Sequence, residues 1–242
     1  MKRLLLPISF LYSCVLFLRH KLYDWNILKS KSYDIPNICV GNLNLGGTGK
    51  TPHIEYLIRL LSNKYDIAVL SRGYGRKTKG FLLANESHTH NDIGDEPLQY
   101  FTKFDNIKIA VDENRCEGME RLLQDENPPQ IILLDDAYQH RKIKPGLNIL
   151  LTDYYYLYSD NHLVPAGNLR DIKKAAQRAE IIVITKSPNV ITPYYRKDVE
   201  NKLKPLPHQK IFYSYIEYLD FKPFSKLSHN TDIKEAKTVL LV

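Results

Sequence analysis

The 242-residue chain is poor in the features that usually announce a covalent or metal-built scaffold. Its three cysteines, Cys14, Cys39 and Cys116, are odd in number and far apart. They show neither metal-ligand spacing nor a disulfide framework, and a reducing compartment suits them. His88 and His90 form an H-x-H pair with no further ligand cluster, which reads as a polar loop rather than a metal site. Internal repeats and low-complexity tracts are absent. A net charge of +7 favours anionic partners, but no clustered aromatic and basic motif accompanies it, so a nucleic-acid partner is not expected. The apolar stretch "LLLPISFLYSCVLFL" at 4–18 is short for a membrane span: as a helix it covers about 22 Å, against about 30 Å of hydrocarbon core. No small-residue cleavage site follows it, which argues against a signal peptide.

What is present is a globular composition, with 43% hydrophobic and 25% charged residues. Residues 1–30 read as a membrane-associating helix. Lys2 and Arg3 precede the apolar stretch, and Arg19, His20 and Lys21 follow it, where cations meet lipid phosphates whether the helix spans or lies in the interface. An ordinary buried helix is the alternative. From residue 37 onward short apolar runs alternate with helical spacing. The runs at 37–40, 67–71, 107–111, 130–136, 147–153, 180–186 and 210–216 read as strands buried on both faces of a sheet. Helices are expected at 52–61 and 115–124. The pattern predicts an α/β fold of the P-loop NTPase kind: a doubly wound, mostly parallel sheet flanked by helices, over residues 31–236. The chain closes on a further apolar run, "AKTVLLV" at 236–242. That run is expected to be a strand leading into a C-terminal domain that would begin at 237–242.

The chemistry is concentrated at strand ends. "NLGGTGKT" (44–51) nearly matches G-x-x-x-x-G-K-[ST], with Asn44 at the first glycine position. Gly46, Gly47, Thr48 and Gly49 form the turn that would aim backbone N–H groups at phosphate oxygens. Lys50 would neutralise the β- and γ-phosphates, and Thr51 would offer its hydroxyl to Mg²⁺. The following helix points its positive end at the same spot. "ILLDD" ends a strand in Asp135 and Asp136, where a Walker-B acid belongs; alone, such a pair is also consistent with a solvated turn. "GDEP" (94–97) puts Asp95 and Glu96 in a turn or at a helix start, where a carboxylate could accept a substrate proton or Asp95 could serve as a helix N-cap. Arg72, Arg76, Arg115 and Arg170 are candidate anion clamps, each alternatively a surface charge, and Tyr74 suits a sugar or lipid contact. "VITKSP" (183–188) lacks the Asn-Lys-x-Asp that reads guanine, which favours ATP as the nucleotide. The tyrosines at 154–156 and Tyr158 read mainly as packing residues.

Together and in this order, "VGNLNLGGTGKTP", "SRGYGRK", "GDEP", "DDAYQH", "VPAGNLRD" and "ITK" resemble the tetraacyldisaccharide 4′-kinase family over nearly the whole chain. The resemblance implies transfer of the γ-phosphate of ATP to the 4′-hydroxyl of a tetraacyldisaccharide 1-phosphate, in lipid A biosynthesis, at the cytoplasmic face of the bacterial inner membrane. It implies Asp95 as the catalytic carboxylate. It further implies Lys50 and Thr51 on phosphate and Mg²⁺, with Asp135 and Asp136 near the metal. Tyr74, Arg115, Gln139, His140 and Arg170 match positions lining the disaccharide-phosphate site. The family also carries a C-terminal Asp-His-His segment whose histidine assists the catalytic Asp. That segment does not occur in this sequence, so the chain alone is expected to bind nucleotide incompletely and to show little activity. The competing reading is a membrane-associated ATPase switch of the MinD/ArsA type; those loops carry an early lysine where this chain has Leu45.

Overall fold

The computed structural model describes residues 2–217. The strand expected at 236–242 and the domain start at 237–242 lie outside the described residues. The chain opens with a 3-10 turn, Lys2–Leu5, and helix α1, Leu6–Asp24. The strands are β1 Asn37–Asn42, β2 Ile67–Ser71, β3 Leu82–Leu83, β4 Lys108–Val111, β5 Ile131–Asp135, β6 Leu147–Asp153, β7 Ile181–Thr185 and β8 Lys210–Tyr213. The helices after α1 are α2 Lys50–Leu61, α3 His90–Ile93, α4 Asp95–Lys103, α5 Arg115–Leu123 and α6 Pro193–Leu203.

The strands form one sheet in the order β3-β4-β2-β5-β1-β6-β7-β8. Every pairing is parallel except β3 with β4. The expected α/β architecture is therefore present, with a short antiparallel edge that the apolar pattern did not signal. The period-two alternation of the strands sorts their side chains into two cores. Ala68, Leu70, Ile132 and Leu134 face one side with Met119 and Leu122 of α5. Ile67, Val69, Ile131 and Leu133 face the other with Ile54 and Ile58 of α2 and Tyr100 of α4. Ile54 and Ile58 are fully buried, and each such burial stabilises the fold by about 1.5–3 kcal/mol. That apolar face holds in place the helix whose first turn carries Lys50 and Thr51. The register pairs Val40 of β1 with Asp135 of β5, so the acid at the end of β5 lies beside the strand that feeds the glycine loop.

Helix α1 is turned opposite to an ordinary core helix. It docks through polar atoms. Ser9 Oγ donates to Leu163 O (2.9 Å) and accepts from the Ala166 N–H (3.0 Å). His20 Nε2 meets Asp171 Oδ1 at 2.6 Å, and Arg19 donates to the Gln139 carbonyl at 3.1 Å. Arg141 reaches back to the His20 carbonyl and to Asp24, each at 2.9 Å. Meanwhile Phe10, Leu11, Val15 and Leu18 are exposed. The buried-helix alternative is thus not what forms, and among the described residues no helix is long and apolar enough to cross a membrane.

Candidate active site

The glycine loop runs from the end of β1 into α2 and is braced on several sides. Gly49 is the N-cap of α2 at φ +82°, a left-handed conformation that a side chain would strain. Nothing lies within 4 Å of a Cβ built on Gly46 or Gly47, so the loop surface is open at those two positions. Thr48 is buried, its hydroxyl accepting from Asn42 Nδ2 at 2.7 Å. Asn44, the departure from the glycine pattern, is buried and donates to the Tyr156 carbonyl at 2.9 Å, tying the loop to the segment after β6. His53 supplies a further brace that the sequence did not reveal. Its Nδ1 donates to the Gly49 carbonyl at 2.6 Å, and Nε2 meets Ser214 Oγ at 3.1 Å. Burial lowers the pKa of His53, favouring the neutral ring.

Lys50 and Thr51 look onto a cluster of acids. Lys50 Nζ lies 3.9 Å from Asp136 Oδ2. Arg170 forks onto both carboxylate oxygens of Asp136 and onto the carbonyl and side chain of Asn42. Despite burial, those hydrogen bonds and charges hold the Asp136 carboxyl below its ordinary pKa. Asp135 behaves oppositely. It is fully buried, accepts one hydrogen bond from Tyr100 (3.3 Å) and leaves Oδ1 without a partner. Burial, then the nearby Glu96 and Asp136, raise its pKa to about 7. Thr51 Oγ1 lies 3.1 Å from Glu96 Oε1. The sequence offered Glu96 beside Asp95 as a carboxylate, with nothing to mark Glu96 as the one that turns toward Thr51.

Asp95 is exposed at the first turn of α4 and makes no side-chain hydrogen bond among the described residues. The N-cap is Gly94, so Asp95 does not cap the helix as one reading of "GDEP" expected. Gly94 sits at φ +91°, and a Cβ there would come 2.8 Å from the Tyr74 carbonyl and 3.1 Å from Gly73 Cα. This close approach locks "GDEP" against "SRGYGRK", so Asp95 and the exposed Tyr74 share one rim. Arg76 leaves the list of anion clamps: its side chain is buried against Glu113 and the Gly80 carbonyl. Arg72 remains exposed.

Arg115 is more buried than a surface clamp. It donates to the Asp112 carbonyl (2.8 Å), Nε has no partner, and burial lowers its pKa to about 10. Its wall belongs to a cavity of about 400 Å³ shared with His140, Arg19 and Arg141. Burial, then the charges of Arg115 and Arg72, push His140 down to about 4, so its ring is neutral at pH 7. Gln139 holds the end of β1 by donating to the Asn42 carbonyl at 2.7 Å. Lys186 pairs with Asp153 at 2.8 Å, and Thr185 is buried. Tyr158 is buried as a packing residue, whereas Tyr155 and Tyr156 are exposed.

Among the described residues no group of three or more His, Cys, Asp or Glu side chains gathers as a protein-only metal site. A Mg²⁺ at a phosphate loop is held instead by one or two protein oxygens with phosphates and water. The Thr51 hydroxyl beside Glu96 and the unpartnered Asp135 Oδ1 fit that role.

A strand, an anion-cradling glycine loop and a helix, flanked by a strand ending in buried acid, define a P-loop nucleotide-binding protein. The family whose model matches residues 1–229 is described as LpxK, tetraacyldisaccharide-1-P 4′-kinase, and the chain belongs to that family. It is 49% identical over 220 residues to the tetraacyldisaccharide 4′-kinase of Bacteroides thetaiotaomicron, covering 90% of this chain and 58% of that one. It is 51% identical over 218 residues to the enzyme of the same name from Flavobacterium johnsoniae, covering 90% of this chain and 64% of the other. The crystal structure of LpxK from Aquifex aeolicus in complex with ATP superposes with a TM-score of 0.72 at 30% identity, covering 92% of this chain and 85% of that one. The chain thus spans roughly three fifths of the length of these two curated relatives.

Proposed function

We propose that the chain is an ATP-dependent lipid kinase that moves the γ-phosphate of ATP to the 4′-hydroxyl of a tetraacyldisaccharide 1-phosphate at the cytoplasmic face of the bacterial inner membrane. The observation that carries this reading, beside family membership, is the contact between Thr51 and Glu96. It brings the N-terminus of α4 against the phosphate loop, which supports reading the neighbouring, exposed Asp95 as a carboxylate of the same site.

Phosphoryl transfer asks for positioning and charge neutralisation more than covalent help from the protein. Lys50 and the loop N–H groups take the charge of the β- and γ-phosphates. The acceptor hydroxyl oxygen attacks the γ-phosphorus, the bond to the ADP oxygen breaks, and Asp95 takes the hydroxyl proton. Thr51, with Glu96, Asp135 and Asp136 close by, would hold Mg²⁺, which supplies positive charge to the phosphate oxygens. Arg170 fixes Asp136 in its bent position, where the residue has φ +48°. Tyr74, Arg115, Gln139, His140 and Arg170 would contact the disaccharide and its phosphate. The exposed apolar face of α1 would rest in the bilayer interface that holds the substrate. The test is transfer of labelled phosphate from ATP to tetraacyldisaccharide 1-phosphate in detergent micelles, by the full-length protein and by its Asp95→Ala variant. Equal turnover by both refutes the role of Asp95. ATP hydrolysis stimulated by a protein partner, without lipid phosphorylation, refutes the kinase reading in favour of an ATPase switch.

A further inference from the structure

One side of α1 carries Leu6, Phe10, Ser13, Phe17, Lys21 and Asp24, spaced by three or four residues and therefore aligned along the helix. Facing it is the segment 161–178. Two cavities lie between them. The first, about 300 Å³, is walled by Leu6, Phe10, Leu163, Leu169 and Ile172. The second, about 140 Å³, is walled by Phe17, Ile172 and four cations, Lys21, Arg141, Lys174 and Arg178. Ile172 belongs to both, so the two are successive parts of one groove, apolar toward the start of α1 and cationic toward its end. From Leu6 to Lys21 the helix rises about 22 Å.

The cationic part holds more positive charge than its own acids neutralise. Asp24 pairs with Arg141, and Asp171 faces His20 and, at 3.7 Å, Arg178. Lys21 and Lys174 make no ion pair among the described residues. Lys21 Nζ instead stands over the rings of Phe17 and Trp25, at 5.8 and 5.9 Å. Nε and Nη2 of Arg178 are buried without a hydrogen-bond acceptor. Nη2 lies on the Asp171 side, with the guanidinium 4.4 Å over the Tyr138 ring; the residue still lines the second cavity, and its planar fork suits a phosphate there.

We propose that this groove binds one acidic glycerophospholipid, with the headgroup phosphate at Lys21, Lys174 and Arg178 and an acyl chain along the apolar part. The proposal rests on the membrane reading above and adds a particular lipid site to it. Charge complementarity selects the phosphate. The groove is also continuous with the exposed apolar residues of α1, so a bilayer lipid reaches it without leaving its leaflet. The residues expected to contact the disaccharide lie elsewhere: Arg115 and His140 wall a different cavity, which α1 approaches through Arg19 and Tyr23.

The test uses the whole chain and phosphatidylcholine vesicles with or without phosphatidylglycerol, the latter bearing a photoactivatable acyl chain. Trp25, the single tryptophan, reports binding by its fluorescence. Photo-adducts are expected on 161–173 as well as on α1. Lys21→Gln/Lys174→Gln should weaken binding to the acidic vesicles by roughly 25-fold, the sum expected for two lysines at an anionic surface. Lys64→Gln/Lys197→Gln, with the same charge change elsewhere, should have a much smaller effect, and circular dichroism checks that each variant is folded. Adducts confined to the outward residues of α1, with the two variant pairs equally impaired, overturn the groove while leaving membrane binding intact. Absence of binding to any vesicle overturns the membrane reading and the groove together. Displacement of the photolabel by tetraacyldisaccharide 1-phosphate but not by unlabelled phosphatidylglycerol assigns the groove to the substrate and overturns the proposal.

Discussion

Asp135→Asn isolates the energetic cost of placing an acid at the floor of the phosphate site. In the native protein burial, Glu96 and Asp136 raise the Asp135 pKa from its ordinary 3.8 to about 7. That displacement corresponds to an upper bound of about 4 kcal/mol. The folded protein therefore holds a proton on Asp135 that the unfolded chain has already released between these two values. Stability from this residue is complete below about pH 4, declines as pH rises toward about 7, and is flat above that. His140 works in the opposite direction, because its pKa falls from 6.5 to about 4 and the unfolded chain binds the extra proton. The raw pH curve of the wild type therefore mixes two opposing slopes. Subtracting the curve of Asp135→Asn removes the His140 contribution. The new amide, facing the position where Oδ1 has no partner, adds a cost of about 1–3 kcal/mol that does not vary with pH. Urea denaturation from pH 4.5 to 8 should show the variant gaining on the wild type as pH rises, with a total change of a few kcal/mol. A difference that stays constant across this range would refute the reasoning, since Asp135 would then ionise as readily in the folded protein as in the unfolded chain.

Lys50→Met should weaken ATP binding by at least about tenfold, the loss of a charge-assisted phosphate contact, as read by calorimetry. Asp95→Ala should lower phosphate transfer by about 100-fold or more while holding ATP affinity within about threefold, a split expected of a general base and not of a nucleotide ligand. Gly94→Ala should cost about 1–3 kcal/mol in chemical denaturation, because φ +91° and the Tyr74 carbonyl both oppose a side chain there. His20→Ala should destabilise by about 1.5–3 kcal/mol, because it removes a hydrogen bond to the buried Asp171 carboxylate; a melting temperature equal to the wild type would show that α1 is not held by that pair.

The sequence was most informative where a residue's role follows from its strand position. The runs "IAVLS" and "LNILLTD" coincide with β2 and β6 residue for residue, because strands buried on both faces leave continuous apolar sequence bounded by polar turns. The glycine loop and the acids after β5 were legible for the same reason: chemistry at strand ends is placed by the strand. Elements that depend on partners distant in sequence were hidden. The two-residue β3 pairs with β4 but has too little pattern to register. The short α3 is marked by a Thr89–Asp92 capping box inside a stretch that read as polar loop. Glu96 and His53 acquire their roles from contacts with Thr51, Gly49 and Ser214, and the local sequence shows none of those contacts. Arg76 looked like a free clamp because its acid partner, Glu113, lies 37 residues away.

The bonds that seat α1 also set an order of events during synthesis. Ser9 waits for Leu163, and His20 for Asp171, separations of 154 and 151 residues. At about 5–20 residues per second, the docking surface emerges roughly 8–30 s after the helix does. Throughout that interval α1 exists with its leucines and phenylalanines bare and no protein surface to receive its polar side. A lipid interface can take the apolar side without that delay. The helix that the finished fold holds by serine and histidine therefore waits, while the rest of the domain is made, with its apolar side bare.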